Sequence, residues 1–522
     1  MVKFVNIDRD TPLKLPPDLR DWVAKDHLVH FVLDAMDAVD TSVAVVNERG
    51  TGNHQYPPAM LLALLVYSYA TGVFSSRQIE RSTYENVAVR LLCADTHPDH
   101  DTLCAFRRKN AALLSRAFAQ VLELAATCGV LKVGAVTVAI DGTKVLANAS
   151  KHAAVSHGHA EQTLRELDLE IAELMAKAEQ ADATPLQDGL TIPDEIQRRA
   201  ERKARLARAK AEIEARAHAR FVAEQADHAE KLVRRKALQA EGKTPRGRPP
   251  EPPTPAPGEK DQVNFTDQES RIMPTKDGFQ QAYNAQAGVE TTSRLIVGAR
   301  LAQATNDKQQ LIPTLGAVKE HVSPATVLVD SGFVSETAVT QIERETPGLR
   351  ILAALIREPH GRTVAQLEKK EDPPEPAAEA SFAERMRQRT ATAAGRALYK
   401  LRQQTVEPVF GIIKEAMGFR RFSLRGHKKV SLEWDLVCLA YNVKRLHRLG
   451  PPPAAGGGPE APKNPSPRGL ARGLPSENRL KSALAALQLG SSRSKTHSVT
   501  FWRAFMSAHT ATSQKSTLSA VS

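Results

Sequence analysis

Strand-forming sequence occurs in two blocks of this chain, separated by a long charged segment that reads as helix, and this discontinuity constrains the fold most. Residues 133–150, VGAVTVAIDGTKVLANAS, alternate β-branched and small residues, which predicts a strand ending near Asp141-Gly142. Residues 159–241 are then rich in Ala, Glu, Arg and Lys, with Leu164, Leu167, Ile171 and Leu174 at alternating steps of three and four. That is coiled-coil spacing over a few turns, and Pro185, Gly189 and Pro193 divide it into two helices. GKTPRGRPPEPPTPAPGEK at 242–260 reads as a semi-extended linker. Strand character resumes at 278–290, 293–303, 325–333 and 350–355, giving a mixed α/β order. The simplest reading is one sheet with a helical hairpin inserted in its sequence.

Ahead of the first strand the pattern is helical. Leu28, Val29, Val32, Leu33, Met36 and Val39 recur at helical spacing. Pro57 and Pro58 suit a helix start, and the apolar run MLLALLVYSYA follows to Thr71-Gly72. Ser75 and Gln78 are spaced as a capping box, and Asp101 is placed to cap a helix running to Gly129. Arg77, Gln78 and Arg81 on the second of these helices suit major-groove docking; a solvated face of a plain bundle explains them equally well.

With 522 residues the chain exceeds one ordinary domain, and 71 Lys plus Arg against 59 Asp plus Glu give a net charge of +12. The basic excess favours a polyanionic partner such as nucleic acid without identifying it. Cys93, Cys104, Cys128 and Cys438 form no CxxC pair, which points to a reduced cytoplasmic setting. The N-terminal MVKFVNIDRDTPLKLPPDLR is charged where an export signal needs an apolar run. The longest apolar stretch, 60–70, is about half of the roughly 20 residues that span a bilayer, so no membrane role is expected. His152, His157 and His159 resemble a metal cluster only superficially, since no Cys accompanies them. Beyond Gly450 the composition turns to Pro, Gly and Ser and reads as a disordered tail with at best one short helix.

Three carboxylates stand where chemistry is plausible: Asp141 and Asp330 at the ends of apolar strands, and Glu407 in a helical region. Each has a plain alternative, namely a hairpin turn for Asp141-Gly142, a helix N-cap for Asp330 and surface charge for Glu407. Asp307, beside Asn306 after a strand, reads as a turn or cap, and is the runner-up carboxylate only if Asp330 does not serve. Taken jointly, neighbouring strands can deliver two acids to one sheet edge while a packed helix supplies a third. Their mutual repulsion is relieved by Mg²⁺ or Mn²⁺, which prefers hard oxygen ligands, and two such ions support phosphoryl transfer.

The residues that carry this reading also carry a likeness. AIDGTKVLANAS at 139–150, SRIMPTKDGFQQAYNAQAGVE at 270–290, ATNDKQQL at 304–311, VLVDSGFVSE at 327–336 and RALYKLRQQTVEPVFGIIKEAMGFRRFSLRG at 396–426 resemble bacterial insertion-sequence transposases of the DDE type. SSRQIE at 75–80 and PDHDTLCAFRR at 98–108 resemble that group's helical leader domain, so the likeness covers about residues 20–448. It implies an RNase H-like mixed sheet with flanking helices, preceded by an all-α domain and interrupted by a helical insertion. The expected organisation is 1–130 for the DNA-binding domain, 131–158 and 261–449 for the catalytic domain, 159–260 for the insertion and linker, and 450–522 for the tail.

Carried over position by position, the resemblance makes Asp141 and Asp330 the first two metal-binding aspartates and Glu407 the third acid, holding two Mg²⁺ or Mn²⁺ ions. Tyr399, Arg402, Glu407 and Lys414 match in kind a Tyr, Arg, Glu, Lys signature, although four residues separate Arg402 from Glu407 where the common pattern has three. Glu407 and Lys414 share a face if the helix is continuous, but Pro408 argues for a start or kink there, with Thr405 as N-cap. GFRRFSLRGHKK at 418–429 offers Arg420, Arg421, Arg425, Lys428 and Lys429 for phosphate contact, with Phe419 and Phe422 in the core; a solvated basic turn is the alternative. Arg234, Arg235, Lys236, Lys243, Arg246 and Arg248 form another basic stretch. The implied activity is cleavage at the element's ends and strand transfer into target DNA, by a nucleoid-associated homo-oligomer acting on terminal inverted repeats. A catalytically inactive DNA-binding product of an element and a nuclease without transposition are the alternatives.

Overall fold

The computed structural model describes residues 18–47, 54–132, 134–183, 192–242, 248–355, 372–377 and 379–450. The expected tail beyond Gly450, the break at Pro185 and Gly189, Lys243, Arg246 and the side chain of Arg234 lie outside the described residues. The chain divides into two units: residues 1–145, 284–424 and 428–522 form the first, and 146–283 with 425–427 the second.

The first unit begins with helices α1 (Leu28–Asp37), α2 (Pro58–Ala70), α3 (Ser76–Glu85), α4 (Val87–Leu92), α5 (His100–Lys109) and α6 (Ala111–Thr127). Pro58 opens α2, where a missing N–H costs no helical bond, and every residue from Leu61 to Ala70 is buried. Local capping differs from the sequence reading in two places. Ser75 precedes α3 but makes no side-chain cap bond, so the expected capping box does not form. Asp99, not Asp101, caps α5, and the single long helix expected there is two. Asn110 divides them: its amide bonds the Phe106 carbonyl and accepts from Val45 N–H, so its side chain competes with the helix ladder.

β1 (Ala135–Leu146) does not stop at Asp141-Gly142, because TKVL at 143–146 continues the strand alternation. The second unit follows with β2 (Ala154–Ser156), α7 (His157–Ala183), α8 (Ile192–Ala240), β3 (Gln262–Asn264) and β4 (Arg271–Thr275). Leu164 packs against a core of Val155, Ala160, Leu167, Leu206, Ala209, Ile213 and Val263, which joins α7 and α8 to the β2–β3 ribbon. The expected heptad spacing is used within the hairpin, where Leu167 is buried and Ile171 and Leu174 are half-buried. Pro193 sits in the first turn of α8 rather than breaking it.

β5 (Gly278–Glu290), β6 (Ile296–Ala302), α9 (Leu311–Lys319), β7 (Ser323–Val329), α10 (Glu336–Glu345) and β8 (Arg350–Ala353) complete the strands. Their order is β6-β5-β1-β7-β8, with β4 also on β5. β5 and β6 pair antiparallel, whereas β1, β7 and β8 are parallel, so the sheet is mixed and RNase H-like. Three further helices, α11 (Phe382–Ala391), α12 (Ala393–Gly411) and α13 (His427–Leu449), follow. None of the described helices is long and apolar enough to cross a membrane.

α13 holds the first unit together through buried polar groups. Asn442 pairs with Ile296 of β6 through both amide atoms, at 2.9 and 2.8 Å, and Trp434 Nε1 donates to the Gln286 carbonyl. Glu433 is fully buried, accepts from Ser423 and Leu424 N–H and Tyr69 Oη, and lies 4.0 Å from the buried Arg107 guanidinium. Removing one partner of such a pair strands the other charge, which costs about 3–5 kcal/mol. Glu433→Ala is therefore expected to lower unfolding free energy by about that amount in urea titration, and an effect within about 0.5 kcal/mol would show that Glu433 is not carrying Arg107.

Candidate active site

Register places the two aspartates side by side. Ala139 of β1 pairs with Leu328 of β7 in a parallel ladder; Asp141 follows two residues later on β1, and Asp330 is the first residue beyond the end of β7. Asp330 begins a 3₁₀ turn, Ser331–Phe333, without making a side-chain cap bond, so the N-cap alternative does not account for it. Asp141 lies within a continuous strand, so the hairpin-turn alternative fails too.

α12 crosses both strand ends. Tyr399 Oη donates to the Val329 carbonyl at 3.2 Å, and one turn later Arg402 spans the aspartates. Its Nη1 lies 3.1 Å from Asp141 Oδ2 and its Nη2 3.9 Å from Asp330 Oδ1. A 3.9 Å contact is an ion pair rather than a hydrogen bond. Lys414 Nζ donates to Thr143 Oγ1 at 2.6 Å and to the Lys144 carbonyl at 2.9 Å. Three members of the expected signature thus meet β1 or the end of β7.

Glu407 does not join them. It is exposed, and among the described residues no group of three His, Cys, Asp or Glu side chains could hold a metal ion. The expected break at Pro408 is also absent, since α12 runs through it from its N-cap Thr392, and Thr405 bonds back to Leu401 instead of capping. Five helical residues from Arg402, Glu407 is turned about 140° away from it. The turn after α12, Ile412–Ala416, is a π-helix, so the shared face computed for Glu407 and Lys414 on α geometry does not carry through to Lys414.

A second cluster was not anticipated. Asp307 Oδ1 accepts from Asn284 Nδ2 and Gln286 Nε2, both at 2.7 Å, and lies 3.9 Å from Lys144 Nζ. Asn284 and Gln286 are two apart on β5, hence on one face, and their amide oxygens are buried without hydrogen-bond partners. Gly142 leaves room for this network: a Cβ on it would stand 2.4 Å from Gln286 Nε2 and 2.8 Å from Asp307 Oδ1, so those side chains would have to shift. The only sequence signals were the polar residues at alternate positions in AYNAQ and a glycine next to Asp141.

The DNA-contact candidates are spread more widely. Arg77 and Arg81 are exposed on α3, one helical turn apart. Arg420 pairs with Glu415, Arg421 is exposed, and Arg425 donates to the Asn148 carbonyl within the second unit. Phe419 and Phe422 are buried, in keeping with their core assignment. His157 lies near Glu214 at 3.5 Å.

Electrostatics favour a cation at the aspartates. Burial pushes the Asp141 carboxyl up to about 6, against the Gly142 N–H and Arg402, which pull it down, while Asp307 and Asp330 push it further up. Two carboxylates with open coordination suit Mg²⁺ or Mn²⁺, which commonly takes one or two protein acids and completes its shell with water and substrate phosphate oxygens. Arg402 already brings positive charge to both, so the donor set fits a hard cation. Because the folded-state pKa is raised, Asp141 contributes stability below about pH 4 that is lost as pH rises through about 6. In metal-free buffer Asp141→Asn should remove that part of the pH dependence, on the order of 2 kcal/mol, from denaturation curves between pH 4 and 7; an unchanged profile would refute the raised pKa.

The comparisons with known proteins bear on both ends of the chain. Residues 373–447 match the family model of a transposase DDE domain, which includes Tyr399, Arg402, Glu407 and Lys414. Residues 17–109 match a transposase domain of the DUF772 type, which includes Arg77 and Arg81. Asp141 and Asp330 lie between the two matches. No curated protein and no solved structure matches the chain. With a transposase domain matched ahead of an RNase H-like sheet and a DDE domain matched behind it, the two matches support an insertion-sequence transposase of the DDE type.

Proposed function

We propose that this transposase cuts DNA at the ends of its own element and joins the freed 3′-hydroxyls to target DNA, with Asp141, Asp330 and Glu407 as its catalytic acids. The observation that carries the reading is the meeting of Asp141 and Asp330 at Arg402. Asp141 within β1 and Asp330 just after β7 would hold Mg²⁺ or Mn²⁺, and Glu407 would complete the set from α12. A bound ion pair supplies activation of the attacking oxygen and stabilisation of the leaving one.

The protein's own residues bind and orient the DNA. Lys414, beside Thr143, places an ammonium next to the strand that bears Asp141, where a phosphate approaching the acids meets it. Tyr399 fixes α12 to the end of β7, and Arg402 supplies a planar fork suited to a phosphate. Arg420, Arg421 and Arg425 extend the basic surface along the sequence after α12, while Arg77 and Arg81 serve the element's terminal repeats from α3. Joining two ends calls for at least two copies of the chain.

The exposure of Glu407 favours a second reading, a protein that binds element ends without cutting them. Purified protein, Mg²⁺ and duplexes carrying the DNA that flanks its reading frame separate the possibilities. Nicked and joined products are expected. Binding without nicking would assign the second reading, and cut DNA without joined molecules would assign a nuclease. Asp330→Asn is expected to reduce cutting by at least about a thousandfold while end binding persists, because metal stabilisation of the transition state is worth several kcal/mol. Cleavage at the normal rate by that variant would remove Asp330 from the site.

A further inference from the structure

We propose that Arg402 is a resident counter-cation that a metal ion must displace from Asp141 and Asp330, so that metal loading frees its guanidinium for the DNA backbone. This rests on the reading of those aspartates as the metal-holding pair. The two oxygens of Asp141 are not equivalent. Oδ1 accepts from Gly142 N–H at 2.8 Å, which leaves Oδ2 as the oxygen open to a cation, and Oδ2 is the atom that Arg402 Nη1 contacts. The other arm of the fork points at Asp330 Oδ1, so the guanidinium spans the gap between the carboxylates. An arginine and a hard cation placed there compete for the same lone pairs.

The fit of Arg402 is that of a parked group rather than a saturated one. A guanidinium carries five N–H donors, and buried arginines normally satisfy them. Arg402 Nε is buried with no hydrogen-bond partner, and the Asp330 contact is too long for a hydrogen bond. The side chain is 11% exposed, whereas the Asp330 side chain opposite is 52% exposed, so the Asp330 end of the contact already borders solvent. Once withdrawn, the same fork matches a phosphate bidentately, with charge and geometry that neither aspartate needs when a metal neutralises them.

Competition and orientation make opposite demands on one measurement. If Arg402 only oriented Asp141 for a metal, removing it would weaken metal binding; if it competes, removing it strengthens binding. Mn²⁺ binding to the full chain without DNA is read by calorimetry and by the paramagnetic resonance of free ion. Arg402→Gln should bind Mn²⁺ about tenfold or more tightly than the unsubstituted protein, and Arg402→Lys, which keeps the charge but cannot span both acids, should fall between. Thermal melts establish that both variants are folded, and the lysine variant keeps the test decisive should the glutamine variant unfold. Equal or weaker binding by the folded variants would overturn the displacement. Failure of the underlying reading looks different: Asp330→Asn would then bind Mn²⁺ as the unsubstituted protein does, whatever Arg402 variants do.

Discussion

A carboxylate in the middle of a buried strand is costly unless positive charge stands beside it, and the strands and helix around Asp141 are organised by that requirement. Burial favours its neutral form, and the groups that oppose this are the Gly142 N–H and the Arg402 guanidinium. Because Arg402 comes from α12, neutralising a strand residue also docks a helix. Tyr399 at the Val329 carbonyl and Lys414 at Thr143 and the Lys144 carbonyl fasten the same segment on either side of that ion pair. The contacts are charged or polar, hence directional, and they set where along β1 and β7 the helix lies.

α13 solves a related problem with different means. It brings a glutamate, an indole and an asparagine into the interior, and each finds a specific partner in another segment of the first unit: Tyr69 and Arg107 near Glu433, the Gln286 carbonyl for Trp434 and the backbone of Ile296 for Asn442. Apolar packing alone would tolerate a helix sliding by a turn. Buried hydrogen bonds do not, because each slip leaves a desolvated polar atom unpaired at a cost of about 1–3 kcal/mol. The N-terminal helices and the sheet of this unit are thereby held to one arrangement.

Period-two alternation made the strands legible from sequence, and with them the positions of Asp141 and Asp330, since an acid at the end of an apolar run is conspicuous. Helix termini were less so. Ser75 and Gln78 have the right spacing for a capping box that does not form, and Asn110 divides a helix whose apolar pattern continues across it. The Asp307 cluster was illegible because its members come from three segments, and nothing local in ATNDKQQL says that Asp307 will meet amides of β5. Gly142 was read as turn chemistry, whereas its lack of a side chain makes room for Gln286 and Asp307. Packing against distant residues, which spacing does not encode, decided both cases.

Glu407 exposes the difference between acids set by a sheet and an acid set by a helix. The parallel β1–β7 ladder brings Asp141 and the residue after β7, Asp330, into the same neighbourhood, whereas a helix carries its residues at an angle that one inserted residue changes by about 100°. The extra residue between Arg402 and Glu407, relative to the common pattern, is such a change, and Val406 occupies the buried position one turn after Arg402. α12 is also irregular near its end: Pro408 lacks the N–H that would bond the Gln404 carbonyl, and the π-turn at Ile412–Ala416 alters the winding around Lys414. Pro408 lies between the Arg402 and Lys414 contacts that fasten the segment, and the π-turn carries Lys414 itself, so the angle between Glu407 and either contact is not that of a regular α-helix.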